Sequence, residues 1–323
     1  ASDVYKRQLL SLLTKPSADE NGFSPEQLST EIRLTAEDIE GEINDKRSYA
    51  MTRMLETMCA DEIYGLTKNE ILENVKKVTP QSLLAAWKFM LKNGIIQLNA
   101  IGNISEDDCK KKLREAFSDV GERTPYEPET VFVEEAEDLT ELTEELTMNQ
   151  SKLVLGFRGG MTDENGDFYS RRIMTDVFGG GPYSRLFMNV REKLSLCYYC
   201  SARLIRGKGI IVIQSGIEKE NRQKVLDEIN RQLDIMKNGE FSDEDFEASK
   251  KAICDAYRSF NDTPDALDIY YGTQLTGDIV TPDEAIENFL AVTRDDVKKT
   301  ACALSLDTVY MLAGTDKEDG ADE

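Results

Sequence analysis

The sequence predicts an α+β fold: two homologous domains, each a mostly antiparallel sheet packed with helices, the first of them incomplete. Three observations carry this. Capping signals mark helix starts along the whole chain. The strand candidates of the second half are joined by hairpin-type turns. Several local patterns of the first half recur in the second, in the same order and at a nearly constant offset. The composition, 40% hydrophobic and 31% charged over 323 residues, is that of a globular chain with room for two domains.

Taken in order, the helix signals are Thr67-x-x-Glu70, Ser105-x-x-Asp108, Ser242-x-x-Asp245, Thr281-x-x-Glu284 and Thr293-x-x-Asp296. In each, a hydroxyl can accept from the backbone three residues on while the acid reaches back. Thr79-Pro80 adds an N-cap followed by proline at the first helical position. Helices are expected over 24–40, 45–61, 68–76, 80–92, 105–117, 165–178, 218–237, 243–260, 282–290 and 294–303. Strands are expected over 95–101, 130–134, 151–158, 197–205, 209–216 and 307–313, where β-branched residues end at turn formers. Arg206-Gly207-Lys208-Gly209 between two of them is a hairpin signal.

The recurrence organises these elements. Phe23-Ser24-Pro25-Glu26-Gln27-Leu28 resembles Phe241-Ser242-Asp243-Glu244-Asp245-Phe246. Thr79-Pro80-Gln81-Ser82-Leu83 resembles Thr293-Arg294-Asp295-Asp296-Val297, at almost the same distance along the chain. Each second match is followed by a helix and a closing strand that runs into glycine, Gly102 or Gly314. The expected organisation is 1–120 as the back of a first domain, 121–148 as an acidic linker, 149–316 as a complete second domain and 317–323 as an acidic tail. The chain opens at Ala1 and reads as a fragment of two domains of roughly 200 residues each. The first domain is then expected to be an open sheet with an exposed edge.

Charge and residue counts narrow the function. With 39 basic and 61 acidic residues, a net charge of −22 disfavours nucleic acid and anionic lipid as partners. No apolar run is long enough to cross a bilayer. The residues shown include no histidine, so they hold no His-based catalysis and no His-ligated metal. Six irregularly spaced cysteines fit a reduced, cytoplasmic protein better than a disulfide framework. Cys197-Tyr198-Tyr199-Cys200 has the form of a redox or zinc pair. On a regular strand over 196–205, however, an odd spacing puts the two sulfurs on opposite faces, and no second C-x-x-C completes a zinc site. Nine acids and no base between 127 and 145 read as a solvated linker or as a segment for a basic partner.

The stretch Gly179-Gly180-Gly181-Pro182-Tyr183-Ser184-Arg185-Leu186-Phe187-Met188-Asn189-Val190-Arg191-Glu192-Lys193-Leu194-Ser195-Leu196-Cys197-Tyr198-Tyr199 resembles the second-domain signature of the insulinase/pitrilysin zinc metallopeptidases, which include the mitochondrial processing peptidases. Asn44-Asp45-Lys46-x-x-Tyr49-Ala50 and Gln150-Ser151-Lys152-Leu153-Val154-Leu155-Gly156-Phe157-Arg158 resemble the noncatalytic member of the paired bacterial type. The resemblance implies repeated α+β domains around an enclosed chamber. It also implies an H-x-x-E-H helix in catalytic members that supplies two zinc ligands and the general base. The third ligand, a glutamate with another acid seven residues before it, falls here on Asp38, with Glu31 upstream. Aspartate would hold its carboxylate about 1.5 Å further from a metal, so no metal ligand and no catalytic residue is assigned to this chain. The substrate-binding Arg and Tyr of the family fall on Arg191 and Tyr198, where guanidinium and phenol can donate to a peptide carbonyl.

The function expected from this resemblance is a noncatalytic subunit that completes the substrate chamber and binds extended peptide. Its partner is an insulinase-family subunit carrying H-x-x-E-H and the zinc; this chain is expected to bind no cofactor and to cleave nothing alone. Two alternatives stay open: an active zinc endopeptidase whose H-x-x-E-H helix lies outside these residues, and a peptide-binding scaffold with no proteolytic role.

Overall fold

The computed structural model describes residues 2–127, 129, 131–159, 168–274 and 279–315. It divides into two compact units, both discontinuous in sequence. The first is Ala1–Gly41, Lys68–Glu129 and Ser259–Thr281; the second is Glu42–Thr67, Thr130–Arg258 and Pro282–Glu323. Each unit thus includes one segment from the other's stretch of sequence. The two exchanged segments start at Glu42 and Ser259, at the offset of the internal repeat.

The first unit is helical. It holds α1 (Ser2–Thr14), the two-residue strands β1 (Ala18–Asp19) and β2 (Gly22–Phe23), and α2 (Pro25–Gly41). The helices α4 (Lys68–Val75), α5 (Pro80–Asn93), α6 (Glu106–Ala116) and α10 (Pro264–Gly272) complete it. Capping sets the starts: the Thr79 hydroxyl accepts from the Ser82 amide while the Ser82 hydroxyl accepts from the Thr79 amide, and Ser105 accepts from the Asp108 amide. At the other end of α5, Arg123 donates to the Leu91 carbonyl at 2.7 Å and to the Gly94 carbonyl at 2.5 Å, satisfying acceptors the helix leaves open. The strand expected over 95–101 does not form. Gln97 instead donates to the Tyr271 carbonyl at 3.0 Å, and Leu98 and Ile101 join Leu9, Leu10 and Ile104 in lining an apolar groove of about 240 Å³. A strand exists only as a paired element. This stretch has the composition of a strand but no neighbour to ladder with among the described residues, so its apolar side chains pack without one. The expected open sheet is reduced to the β1–β2 hairpin.

The second unit is built on a five-stranded sheet in the order β3-β7-β4-β6-β5. The strands are β3 (Thr140–Thr147), β4 (Ser151–Arg158), β5 (Cys197–Ile205), β6 (Ile210–Ile217) and β7 (Ser305–Thr315). All pairs are antiparallel except β3 with β7. β4 and β5 lie where sequence placed them, and the expected hairpin closes β5 onto β6 with Gly209 at φ 63°. β3 lies inside the expected acidic linker, and no strand forms over 130–134 among its described residues. The β3 pattern, Thr-Glu-Leu-Thr-Glu-Glu-Leu-Thr, is that of a charged edge strand, and its acids have partners: Glu144 with Arg53, Glu145 with Lys219, Glu141 with Arg222.

Both faces of this sheet are covered, and β4 and β6 are accordingly buried almost end to end. Register assigns the faces. Leu155, Ile213 and Val309 lie side by side on one, and Val154, Gln214 and Tyr310 on the other. The second face takes α3 (Lys46–Met58), whose Ala50, Met54 and Met58 pack with Val154, Val212, Tyr310 and Leu312. Gly156 makes this approach possible, since a Cβ there would come within 2.4 Å of the Met58 sulfur. The opposite layer contains α7 (Phe168–Gly179), α8 (Arg222–Asn238), α9 (Asp243–Ser259), α11 (Pro282–Ala291) and α12 (Arg294–Ala303). α7 is buried along most of its length, its polar Ser170, Arg171, Thr175 and Asp176 included. No described helix is long and apolar enough to cross a membrane.

Candidate functional site

The glycine-rich turn after α7 is a packing device. A Cβ on Gly179 would lie 2.6 Å from the Ala202 amide nitrogen, so only glycine lets α7 end against β5. Just beyond it, the Tyr183 hydroxyl donates to Asp176 at 2.6 Å, and Arg185 donates to Gln232 at 2.9 Å and pairs with Asp245 at 3.3 Å. These bonds pin the segment that follows.

That segment is a π-helical turn, Phe187–Lys193, and it carries Arg191. Such widened turns concentrate where a side chain must be re-aimed. Here the Leu194 amide donates five residues back to the Asn189 carbonyl at 3.2 Å, and Ser195, at φ 51°, turns the chain into β5. The Arg191 guanidinium stacks on the Phe187 ring at 4.6 Å, is half-buried, and lies 3.6 Å from its neighbour Glu192. A pair that long and that exposed leaves most of its N–H donors available.

Tyr198, the other candidate, stands at an irregularity in β5. Cys197 is opposite Ile217, Tyr199 is opposite Gly216, and Tyr198 is the extra residue between them: a β-bulge. The bulge turns Tyr198 outward, to 57% exposure, where its hydroxyl donates to Glu218 at 2.5 Å. That bond and the Glu218 charge push the phenol's pKa above its ordinary value. Its one proton is therefore engaged, and toward a ligand Tyr198 is an acceptor until Glu218 lets go.

The same bulge corrects the expectation for the two cysteines. Because one residue is looped out, Cys197 and Cys200 stand opposite Ile217 and Ser215, which share a face of β6. The two side chains are on the same side of the sheet. The contact with Cys200, against the opposing effect of burial, lowers the Cys197 pKa, with Ser215 and the Arg191 charge adding to it. Cys200, fully buried, is pushed well up by the same contact and by burial.

On the other face, at the N-terminus of α3, Arg47 lies 4.4 Å over the Tyr199 ring, and the Lys152 ammonium is 5.8 Å from it. Arg47 also donates to Gln214 and Ser201, each at 3.4 Å. Burial and the Arg47 charge lower the Lys152 pKa. Asp45 caps α3 by accepting from the Arg47 and Ser48 amides. Sequence reasoning missed this cation–tyrosine group. The Asn44-Asp45-Lys46 motif pointed toward it, but its partners lie far along the chain, on β4, β5 and β6.

Glu31 and Asp38 lie on α2, both exposed. The described residues hold no cluster of three or more His, Cys, Asp or Glu side chains that could seat a metal ion.

Comparison with known proteins bears on the family and the fold. Residues 77–253 match the family described as Peptidase M16 inactive domain. The chain is 29% identical over 312 residues to "Probable inactive metalloprotease YmfF" of Bacillus subtilis (strain 168), covering 95% of this chain and 72% of that protein. A conserved protein from Enterococcus faecalis V583 superimposes with a TM-score of 0.83 at 24% identity, over 97% of this chain and 75% of that one. A peptidase M16 inactive domain from Pseudomonas fluorescens superimposes with a TM-score of 0.73 at 15% identity, over 99% and 77%.

Proposed function

The chain belongs to the peptidase M16 inactive-domain family, and on that premise we propose that it is a noncatalytic subunit of an insulinase-type zinc peptidase. It lines part of a substrate chamber and holds extended peptide beside an active partner. One observation carries this reading: the position of the family's third zinc ligand holds Asp38, one methylene short, while the positions of its substrate-binding pair hold Arg191 and Tyr198. Arg191 presents largely unengaged donors beside the β5 edge, and Tyr198 is exposed one strand position away from the Cys197 that Arg191 influences. Where the family's third ligand would stand, Asp38 is a shortened acid on an exposed helix face. Zinc and the general base then come from the partner, which carries H-x-x-E-H. β5 is an edge strand, so its free backbone groups can pair with an extended peptide while Arg191 takes one of that peptide's carbonyls.

The same reading makes 1–120 and 149–316 two copies of one repeated domain, the first incomplete and the second complete, and places the protein in the cytoplasm. The irregular spacing of the six cysteines, unlike a disulfide framework, supports the latter. Co-expression with an H-x-x-E-H-bearing family member, followed by co-purification and a peptide-cleavage assay, tests the proposal. The expected result is a stable complex whose chelator-sensitive activity falls when this chain is withheld. Chelator-sensitive cleavage by this protein alone would make it an active peptidase instead. A stable complex with no H-x-x-E-H chain in it would make it a scaffold.

A further inference from the structure

Beyond peptide binding, β5 carries a pair of groups that this function does not use. Cys197 and Cys200 are opposite residues two apart on β6, a separation of about 6.8 Å along a regular strand. That is the upper end of the Cα separation a disulfide spans, and a bulge bends the strand at this very step. The two side chains lie on one face of the sheet, Cys200 directly opposite Ser215 of β6. Their surroundings differ: Cys200 is 4% exposed, whereas Cys197 is half-buried at the rim, beside the turn that carries Arg191.

We propose that Cys197 and Cys200 form a thiol-modification site: an attacking and a resolving cysteine that react with low-molecular-weight disulfides of the glutathione type. In the first step the Cys197 thiolate attacks one sulfur of RS–SR, forming the Cys197–SR mixed disulfide and expelling RS⁻. In the second, the Cys200 thiol gives its proton to solvent and attacks the Cys197 sulfur. The Cys197–Cys200 bond forms and the second RS⁻ leaves. Two protein thiols are oxidised, and one disulfide is reduced to two thiols. The division of roles follows from access: only the rim sulfur can meet a bulky oxidant, and only the buried one is in place to displace it. The lowered pKa of Cys197 agrees with its part as attacker. The disulfide closes a small ring through Tyr198 and Tyr199, so the bulge that presents Tyr198 becomes covalently fixed.

The test uses the full chain, oxidised glutathione as probe, an iodoacetamide quench and mass mapping of the digest. The wild-type protein is expected to yield a peptide with Cys197 and Cys200 linked to each other. Cys200→Ser is expected to accumulate glutathione on Cys197, and Cys197→Ser to take none at Cys200. Without oxidant, Cys197 should be alkylated at neutral pH about tenfold faster than Cys109. The wild-type digest decides the matter even where a buried serine unfolds its variant. Glutathione on Cys302 or Cys109 ahead of Cys197, or no Cys197–Cys200 link in the oxidised wild type, overturns the proposal.

Discussion

Individual side chains at the β5 end of the sheet act through their immediate neighbours. Arg191 is free to donate and Tyr198 is held by Glu218, so replacing them should have different consequences. Arg191→Ala is expected to weaken peptide binding by the complex by about 1.5–3 kcal/mol, the loss of a charge-assisted bond. Tyr198→Phe should cost less, since the hydroxyl it removes is already spent on Glu218. A peptide titration followed by fluorescence anisotropy separates the two, and equal affinities for all three proteins would assign both residues a structural role. Asp45 is a simpler case. The Ser48 hydroxyl and amide hold its carboxyl below its ordinary value of 3.8. A carboxyl depressed in the folded state contributes stability that is present above pH about 4 and is lost as pH falls through the lower folded value. Asp45→Ala should therefore cost about 1 kcal/mol at neutral pH and markedly less near pH 2, readable from urea midpoints at both.

At the scale of elements, the close approaches decide what sequence each position tolerates. Gly179→Ala puts a methyl 2.6 Å from a backbone nitrogen of β5 and 2.7 Å from the Ala202 Cβ, neither of which can rotate away. The α7–β5 contact must open, at a cost of about 1–3 kcal/mol. Gly207→Ala, in the β5–β6 turn, has open space around its Cβ and serves as the neutral control. Paired thermal melts should shift for the first variant and not for the second. At the same scale, helices were legible because their starts are written in residues three apart. Thr79, Ser105, Ser242 and Thr293 all cap as their spacing predicts. α10 escaped notice although Thr263 caps it and Pro264 opens it, because nine residues carry little periodicity. The β-bulge escaped for another reason. It shows only in the register with β6, and that register is what moved two cysteines from opposite faces to one.

For the whole molecule, the telling feature is how the segment Glu42–Thr67 is held in the second unit. Glu62, 9% exposed, accepts from Arg158 at 3.2 Å and from Lys208, while Arg158 pairs with Asp307 at 2.7 Å and donates to the Met58 carbonyl at 2.5 Å. Two cations and two anions balance inside a nearly dry site. Around them, burial and the Glu62 charge push the Cys59 thiol up to about 11. Removing one member strands the others, so Glu62→Ala should cost about 3–5 kcal/mol in thermal or chemical unfolding. Adding Lys208→Met to it should recover part of that loss, because Arg158 still pairs with Asp307 and the one uncompensated charge is gone. A cost below about 1 kcal/mol would mean the network contributes little to holding the segment.

The amino-acid sequence by itself determined most of the helical stretches, where β4 and β5 run, that local signals recur at a near-constant offset, and which peptidase family the chain resembles. Each rests on chemistry between residues close in the chain: a hydroxyl three places from an amide, alternation along a strand, a second appearance of such signals in the same order. Tertiary structure alone decided the rest. It left 95–101 unpaired, made an edge strand of an acidic stretch, drew Arg47 over Tyr199 and assigned 42–67 and 259–281 each to the other stretch's unit. The physical reason is the same throughout: pairing and burial are properties of what a segment meets, and its partners here lie on segments far away in the chain.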